Sequence, residues 1–212
     1  MDPTLPWGLV PSFFVVAVLY ASVGHGGASG YLALLSLAPA TLAPDQMATT
    51  ALTLNLIVAG MGWLAFARAG YFVGRLAWPF LAAAVPAAFL GGATPVSGQV
   101  YAALLASSLL VAALRLVLTV QREGEGAVKP PAWGVAVPVG AGIGWLSGVV
   151  GVGGGIFLSP LLLLLRWANV KQTAAASACF ILVNSAAGLA GRFTRGAMDY
   201  GMLWPLLVAA FA

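Results

Sequence analysis

Two glycine-rich motifs contain the residues best suited to bind a small ligand. Residues 24–30 read Gly-His-Gly-Gly-Ala-Ser-Gly, and residues 151–155 read Gly-Val-Gly-Gly-Gly. Consecutive glycines leave backbone N–H groups free to point at one spot, and a helix that begins just after them adds the positive end of its dipole. Such a site binds an anion without a buried positive charge. A tetrahedral oxyanion such as a sulfonate or sulfite fits the expected donors, which are Ser29 and the N–H groups of Gly26, Gly27, Gly154 and Gly155.

Both motifs interrupt apolar stretches that would otherwise form membrane helices. Glycine is a poor helix former, and irregular backbone at membrane depth is tolerated only where protein buries it or where it lines a polar cavity. Two such interruptions at matching places in two halves of a chain are typical of a transporter's binding site. The alternative is that the glycines only allow helices to pack closely.

His25 is the only histidine of the chain and lies inside the first motif. Because imidazole titrates near neutral pH, His25 could carry a proton that is coupled to anion movement. The alternative is a hydrogen bond from the ring to a backbone carbonyl in the loop. Val152 stands at the corresponding place of the second motif. Side-chain chemistry is therefore expected from the first motif, and mainly backbone donors from the second.

Polar residues on neighbouring apolar segments complete the candidate site. Asn55 and Asn184 lie inside long apolar stretches that begin near Gln46 and Gln172. Intramembrane polar groups usually face the protein interior, where these could line a pathway or bond helices together. No catalytic residue, cofactor or metal site is predicted. The candidate substrate-binding residues are Gly24, His25, Gly26, Gly27, Ser29, Gly151, Gly153, Gly154, Gly155, Asn55 and Asn184.

One short motif resembles that of an enzyme. Residues 27–30, Gly-Ala-Ser-Gly, match the Gly-x-Ser-Gly signature of rhomboid intramembrane proteases. Such an enzyme needs a histidine base on a later helix, within hydrogen-bond reach of the serine. The one histidine precedes Ser29, and Lys129 and Lys171 lie in expected loops. The sequence therefore argues against an enzyme, and an intramembrane serine protease is kept only as the enzyme alternative.

The composition is that of an integral membrane protein. Of the 212 residues, 61% are hydrophobic and 7% are charged, whereas soluble domains carry about 25% charged residues. The net charge of +4 comes from scattered basic residues without interleaved aromatics, which argues against nucleic-acid binding. Cys179 is the only cysteine, so an intrachain disulfide is impossible and a cysteine metal cluster is not expected.

The chain consists of two related halves. Four pairs of residues are each 126 positions apart, namely Gln46 and Gln172, Gly62 and Gly188, Gly70 and Gly196, and Trp78 and Trp204. We therefore predict a first transmembrane repeat over 1–120, a linker over 121–132 and a second repeat over 133–212. The apolar segments run approximately over 8–22, 29–43, 47–67, 76–92, 99–120, 133–150, 155–167, 173–191 and 202–212. Segment 99–120 has no counterpart in the second half, so the second repeat is expected to be incomplete because the chain is truncated. The alternative is a naturally shortened half.

The number of segments in each half determines its orientation. Five separate crossings, or a re-entrant hairpin followed by three crossings, are both odd counts, so the second repeat is expected to be inverted. Only a single bent crossing made from the first two segments would give an even count. Most basic residues then lie on one side, with Arg192 and Arg195 on the other. The positive-inside rule places the linker in the cytoplasm and the N-terminus outside. Arg192 and Arg195 are expected in a solvated turn, with the gathering of anions as the alternative.

The motifs resemble those of the sulfite exporter TauE/SafE family of membrane permeases. The likeness rests on Gly-His-Gly-Gly-Ala at 24–28, on Gly-Val-Gly-Gly-Gly at 151–155, and on the small-residue helix that follows each. It covers nearly the whole chain, although Ala28 replaces the third glycine of the first motif. The resemblance implies transport of sulfur-containing anions, such as sulfite, thiosulfate or organosulfonates, across the cytoplasmic membrane.

The sequence therefore predicts an all-α polytopic membrane protein with two inverted repeats and broken or re-entrant helices at the glycine motifs. We expect a secondary transporter, an exporter, that moves a small sulfur oxyanion or organosulfonate across the lipid bilayer by alternating access. Proton coupling and simple uniport both stay open, as does a homo-oligomer. An anion channel with the same glycine-rich site is the alternative function, and a non-transporting membrane scaffold is another.

Overall fold

The computed structural model describes residues 5–22, 24–37, 43–119 and 129–197, which form eight helices. Helices α3, α4, α6 and α8 are each long and apolar enough to cross a membrane. The prediction of an all-α polytopic membrane protein is therefore confirmed. Segment 202–212, residues 121–128 of the linker and the expected C-terminal truncation lie outside the described residues. The helices are α1 (Leu5–Ser22), α2 (Ala28–Ser36), α3 (Pro44–Arg68), α4 (Gly74–Ala93), α5 (Gly98–Thr119), α6 (Trp133–Val150), α7 (Gly155–Leu164) and α8 (Val170–Thr194).

The glycine motifs break the helices where the sequence predicts. Residues 24–27 separate α1 from α2, and residues 151–154 separate α6 from α7. Helices α2 and α7 contain only 9 and 10 residues. At about 1.5 Å per residue, each covers roughly half of a hydrocarbon core of about 30 Å. Both are therefore half-helices that begin where a membrane helix has been interrupted.

Each broken helix folds back on itself as a hairpin. In the second half, the N–H of Lys129, just before α6, donates to the carbonyl of Arg166, just after α7, at 3.1 Å. In the first half, Phe13 of α1 stacks on Tyr31 of α2, with ring centroids 5.1 Å apart. Because the chain reverses at each glycine motif, this geometry favours re-entrant hairpins over separate crossings.

Helices α3 and α8 occupy equivalent places in the two repeats and pack antiparallel. At one end, Asp45 at the start of α3 forms an ion pair of 2.7 Å with Arg192 near the end of α8. At the other end, Lys171 at the start of α8 donates at 3.0 Å to the hydroxyl of Tyr71, which follows α3. An antiparallel pair of equivalent helices is what an inverted repeat requires. The inversion of repeats 1–120 and 133–212 stays a prediction, which this pairing supports.

Helices α3 and α8 begin with related caps, each made by a glutamine in the first turn. Gln172 of α8 forms a full capping box, since its N–H donates to Asn169 Oδ1 at 2.9 Å and its Oε1 accepts from the Asn169 N–H at 3.2 Å. On α3, Gln46 Oε1 accepts from the N–H of Ala43 at 3.2 Å. The two glutamines thus satisfy backbone groups at helix starts, which explains why the repeat keeps them at one offset.

Other glycines serve close helix packing. Gly140, Gly144 and Gly148 are spaced by four residues along α6, and a Cβ on any of them would overlap a carbonyl oxygen of α4. Small residues at this spacing let membrane helices approach until their backbones touch. Close packing of α4 on α6 therefore explains these three glycines, which lie outside the two glycine motifs.

Candidate functional site

Each glycine loop packs against the long helix of the opposite half. The first glycine loop is residues 24–27 and the second glycine loop is residues 151–154. A Cβ on Gly24 would lie 2.6 Å from the carbonyl oxygen of Ala174 in α8, and a Cβ on Gly151 would lie 2.7 Å from the Cα of Ala48 in α3. Both glycines have positive φ, +73° and +88°. Ala48 and Ala174 are 126 positions apart, so the contacts of the two loops are reciprocal.

The two loops come together around Asn55. A Cβ on Gly26 would lie 2.7 Å from Asn55 Cγ, and a Cβ on Gly153 would lie 2.5 Å from Asn55 Nδ2. The Asn55 amide donates a long hydrogen bond of 3.4 Å from Nδ2 to the carbonyl of Val152. The side chain is fully buried, and its Oδ1 has no partner among the described residues. One amide therefore lies between both loops and retains an unused polar atom.

The backbone N–H groups of both loops are the donors that the sequence predicts for the candidate site. Gly27 and Gly154 cap α2 and α7 with φ near +83° and +84°, so both helices start inside the protein. Each helix start carries the equivalent of about half a positive charge. A buried N–H without an acceptor is costly. Among the described residues no acceptor takes up the N–H groups of Gly26, Gly27, Gly153, Gly154 and Gly155, all of which are buried.

His25 contacts side chains of the second half. Its Nε2 lies 3.0 Å from Ser159 Oγ in α7, and the Ser159 hydroxyl donates to Ser177 Oγ in α8 at 2.7 Å. The His25 backbone N–H donates to the carbonyl of Tyr20 at 2.8 Å. Ser159 lies outside the second glycine motif and was not among the predicted site residues. A serine one turn into a half-helix that follows a glycine loop was the available signal.

Ser29 and Ser185 provide hydroxyls next to the loops. Ser29, a predicted donor, is 3.0 Å from the hydroxyl of Tyr20 in α1, so that pair is already hydrogen-bonded. Ser185 Oγ is fully buried without a partner among the described residues, and a Cβ on Gly153 would lie 3.3 Å from it. Sequence patterns did not predict Ser185, because a serine among alanines of an apolar helix gives no signal by itself.

Asn184 is the other predicted amide of the candidate site. It is fully buried in α8, and both polar atoms of its amide lack a partner among the described residues. An unpaired buried amide of this kind marks a position where a polar ligand would gain hydrogen bonds.

Comparison with known proteins identifies the family of the chain. The sequence profile described as sulfite exporter TauE/SafE matches residues 9–212. The chain belongs to the sulfite exporter TauE/SafE family. It is also 38% identical over 187 residues to the "Probable membrane transporter protein y4hK" of Sinorhizobium fredii, a match that covers 87% of this chain and 75% of the relative. No solved structure gives a significant match.

Membership of the TauE/SafE family establishes a transporter role in a membrane. Four apolar helices of crossing length agree with that location. A transporter family is also consistent with the prediction that the chain is not an enzyme. At the two glycine loops of this TauE/SafE protein, buried backbone N–H groups without an acceptor among the described residues lie close to the unpaired Oδ1 of Asn55.

The structure corrects the expected position of Arg192 in this TauE/SafE protein. Arg192 is 1% exposed, so the expectation of a solvated turn is wrong. Its guanidinium donates to the carbonyls of Gly148 and Val149 at 3.1 and 2.7 Å, and to Asp45 at 2.7 Å. The reason is that α6 ends inside the protein, where its last carbonyls lack helical partners. Arg192 therefore neutralises the negative end of α6 directly behind the second glycine loop.

Arg195 extends the ion pair to the end of α4. Its Nε donates to the carbonyl of Gly92 at 2.9 Å, and its two terminal nitrogens bond the carboxylate of Asp45 at 3.1 and 2.5 Å. The hydroxyl of Tyr101 donates to the carbonyl of Val150 at 3.1 Å and completes the group. Both arginines are thus engaged by one carboxylate and by helix-end carbonyls, instead of being turned to solvent to attract anions.

Proposed function

We propose that this chain is a secondary transporter that moves a small sulfur-containing anion, such as sulfite, thiosulfate or an organosulfonate, out of the cell across the cytoplasmic membrane. The observation that carries the proposal is the meeting of two half-helix starts around Asn55, with buried N–H groups that have no acceptor among the described residues. Donors of this kind suit an oxyanion, because they hydrogen-bond it without a full positive charge. Sulfur as the central atom rests on the family resemblance alone.

The proposed binding residues act mainly through their backbones. Gly26, Gly27, Gly153, Gly154 and Gly155 offer N–H groups, and Gly24 and Gly151 let the loops approach α8 and α3 closely. The side chains proposed to join them are His25, Ser29, Asn55 and Asn184. Alternating access would arise if the two hairpins rock against the antiparallel pair of α3 and α8.

His25 is the proposed group for coupling anion movement to protons. It is the one histidine of the chain, and its Nε2 lies 3.0 Å from Ser159 Oγ, next to the first glycine loop. Imidazole can gain or lose a proton near neutral pH. A proton taken up by His25 would add positive charge beside the anion and would leave with it.

The proposed orientation places the N-terminus outside and the linker 121–132 in the cytoplasm. Lys129 and Arg166 lie together at the two ends of the second hairpin, and Lys171 at the start of α8 contacts Tyr71. The positive-inside rule puts this basic end in the cytoplasm. At the opposite end, Asp45 offsets the charge of Arg192. This increases the difference in positive charge between the two ends of the helices.

A tethered carboxylate tests whether the loops form an anion site. In Asn55→Asp, a carboxylate nearly identical in shape to the amide would take up the loop N–H groups itself. We expect the variant to lose transport of sulfite, thiosulfate, taurine and sulfoacetate in proteoliposomes while its melting temperature in detergent is kept or raised. In the matched control Asn55→Leu, a side chain of similar size carries no charge and loses the hydrogen bond to the carbonyl of Val152, so the melting temperature should fall.

Three results would count against the proposal. The wild-type protein could move none of the four anions, Asn55→Asp could transport at the wild-type rate, or Asn55→Asp could lose as much stability as Asn55→Leu. Steady conductance in planar bilayers would instead identify an anion channel that uses the same site.

A further inference from the structure

Ile181 is the residue that the repeat aligns with Asn55. The two positions are 126 apart, the offset that relates the two halves. Ile181 is 2% exposed in α8. A Cβ on Gly26 or on Gly153 would meet both side chains, so an amide and an aliphatic side chain lie next to each other at the two glycine loops.

Ile181 leaves as little room for a Cβ on the loop glycines as Asn55 does. Its Cγ2 methyl would lie 2.9 Å from a Cβ on Gly26 and 2.9 Å from a Cβ on Gly153. Its Cγ1 would lie 2.5 Å from a Cβ on Gly155 at the start of α7. One isoleucine thus limits the room beside the N–H donors of both loops.

Further apolar side chains lie around the second glycine loop. A Cβ on Gly154 would lie 2.7 Å from Phe180 Cε1 and 2.9 Å from Ile143 Cγ2. Beside these apolar groups lie two buried polar atoms without partners among the described residues, Asn55 Oδ1 and Ser185 Oγ. The loops are therefore bordered by neighbouring groups of two kinds, some able to hydrogen-bond and some able only to pack.

We propose that Ile181 determines the specificity of the site, and that it selects an oxyanion carrying a small apolar substituent over an inorganic oxyanion. The inference rests on the proposed function. An inorganic oxyanion has only an oxygen or, in sulfite, a sulfur lone pair to place against Ile181. It therefore gains no apolar contact there, and an oxygen so placed lacks a hydrogen bond. A short alkanesulfonate directs its oxygens at the loop N–H groups and Asn55, and its alkyl group packs on Ile181.

The test is a comparison of transport efficiency, kcat/KM, for ethanesulfonate, methanesulfonate and sulfite in proteoliposomes at one pH. The wild-type protein is expected to prefer the two alkanesulfonates. Ile181→Asn makes the two repeats alike at this position and should move the ratio about tenfold toward sulfite, the size of effect that one pocket contact produces. Ile181→Val removes one methylene and should favour ethanesulfonate over methanesulfonate. The matched control Ile57→Val makes the same change two residues beyond Asn55, on another side of α3, and should leave every ratio unchanged.

Ratios between substrates are independent of the amount of folded protein, and Ile181→Val preserves the test if Ile181→Asn does not fold. A wild-type preference for sulfite, or unchanged ratios in the Ile181 variants that transport, would overturn this inference and leave the proposed function standing. Transport of none of the three anions by the wild-type protein, together with none of thiosulfate, taurine and sulfoacetate, would overturn both.

Discussion

Substitution of Gly153 by alanine separates the role of the second glycine loop from the general cost of a positive φ. Gly153 and Gly70 both have φ of +79°. A Cβ on Gly70 would meet nothing within 4 Å, whereas a Cβ on Gly153 would lie 2.5 Å from Asn55 Nδ2 and 2.9 Å from Ile181 Cγ2. In both variants the left-handed backbone costs alanine about 1–2 kcal/mol. Only Gly153→Ala adds the cost of overpacking, about 1–3 kcal/mol.

The two variants should therefore differ in stability and, more strongly, in transport. We expect Gly153→Ala to be less stable than Gly70→Ala by about 1–3 kcal/mol. The added methyl group must also displace Asn55 or Ile181, so anion flux should fall at least about tenfold, since small misplacements of binding groups are costly. Gly70→Ala should keep most of the wild-type flux.

The assay is thermal unfolding in detergent together with anion flux per milligram of reconstituted protein. Gly70→Ala is the matched control, because it carries the same residue change at the same φ. If Gly153→Ala equals Gly70→Ala in both melting temperature and flux, the second glycine loop neither packs tightly on Asn55 nor binds the anion.

Three further predictions concern charge, protons and orientation. Arg192→Gln should lower stability by about 2–4 kcal/mol in thermal unfolding, because buried carbonyls at the end of α6 lose their donors. Arg192→Lys should lose less stability than Arg192→Gln but should not reach the wild-type value. If His25 carries the coupled proton, His25→Ala should abolish the dependence of flux on a pH gradient, and an unchanged profile would remove His25 from the mechanism. In a Cys179→Ala background, a membrane-impermeant thiol reagent should label Gly98→Cys but not Lys171→Cys in intact cells, and the opposite pattern would reverse the proposed orientation.

Local features of this fold could be predicted from the sequence because they depend on neighbouring residues. The apolar composition required a membrane protein, and glycines at 24–27 and 151–154 interrupt helices because glycine tolerates positive φ and disfavours regular helix. Gln46 and Gln172 begin their helices because a glutamine three residues into a helix reaches back to the preceding N–H. The constant offset of 126 positions is visible in the sequence and predicts the repeat.

Only the tertiary structure decided which side chains meet at the site. Helices that are apolar on all sides carry no stripe that shows which face is buried against which partner, so the sequence does not distinguish Asn55 from Asn184. Helix packing placed Asn55 and Ile181 between the loops and brought Ser159 to His25 across 134 positions. The same packing buried the end of α6, and the carbonyls left there required the donors of Arg192. The sequence by itself therefore determined where the membrane helices break, whereas the long-range packing determined what surrounds the breaks.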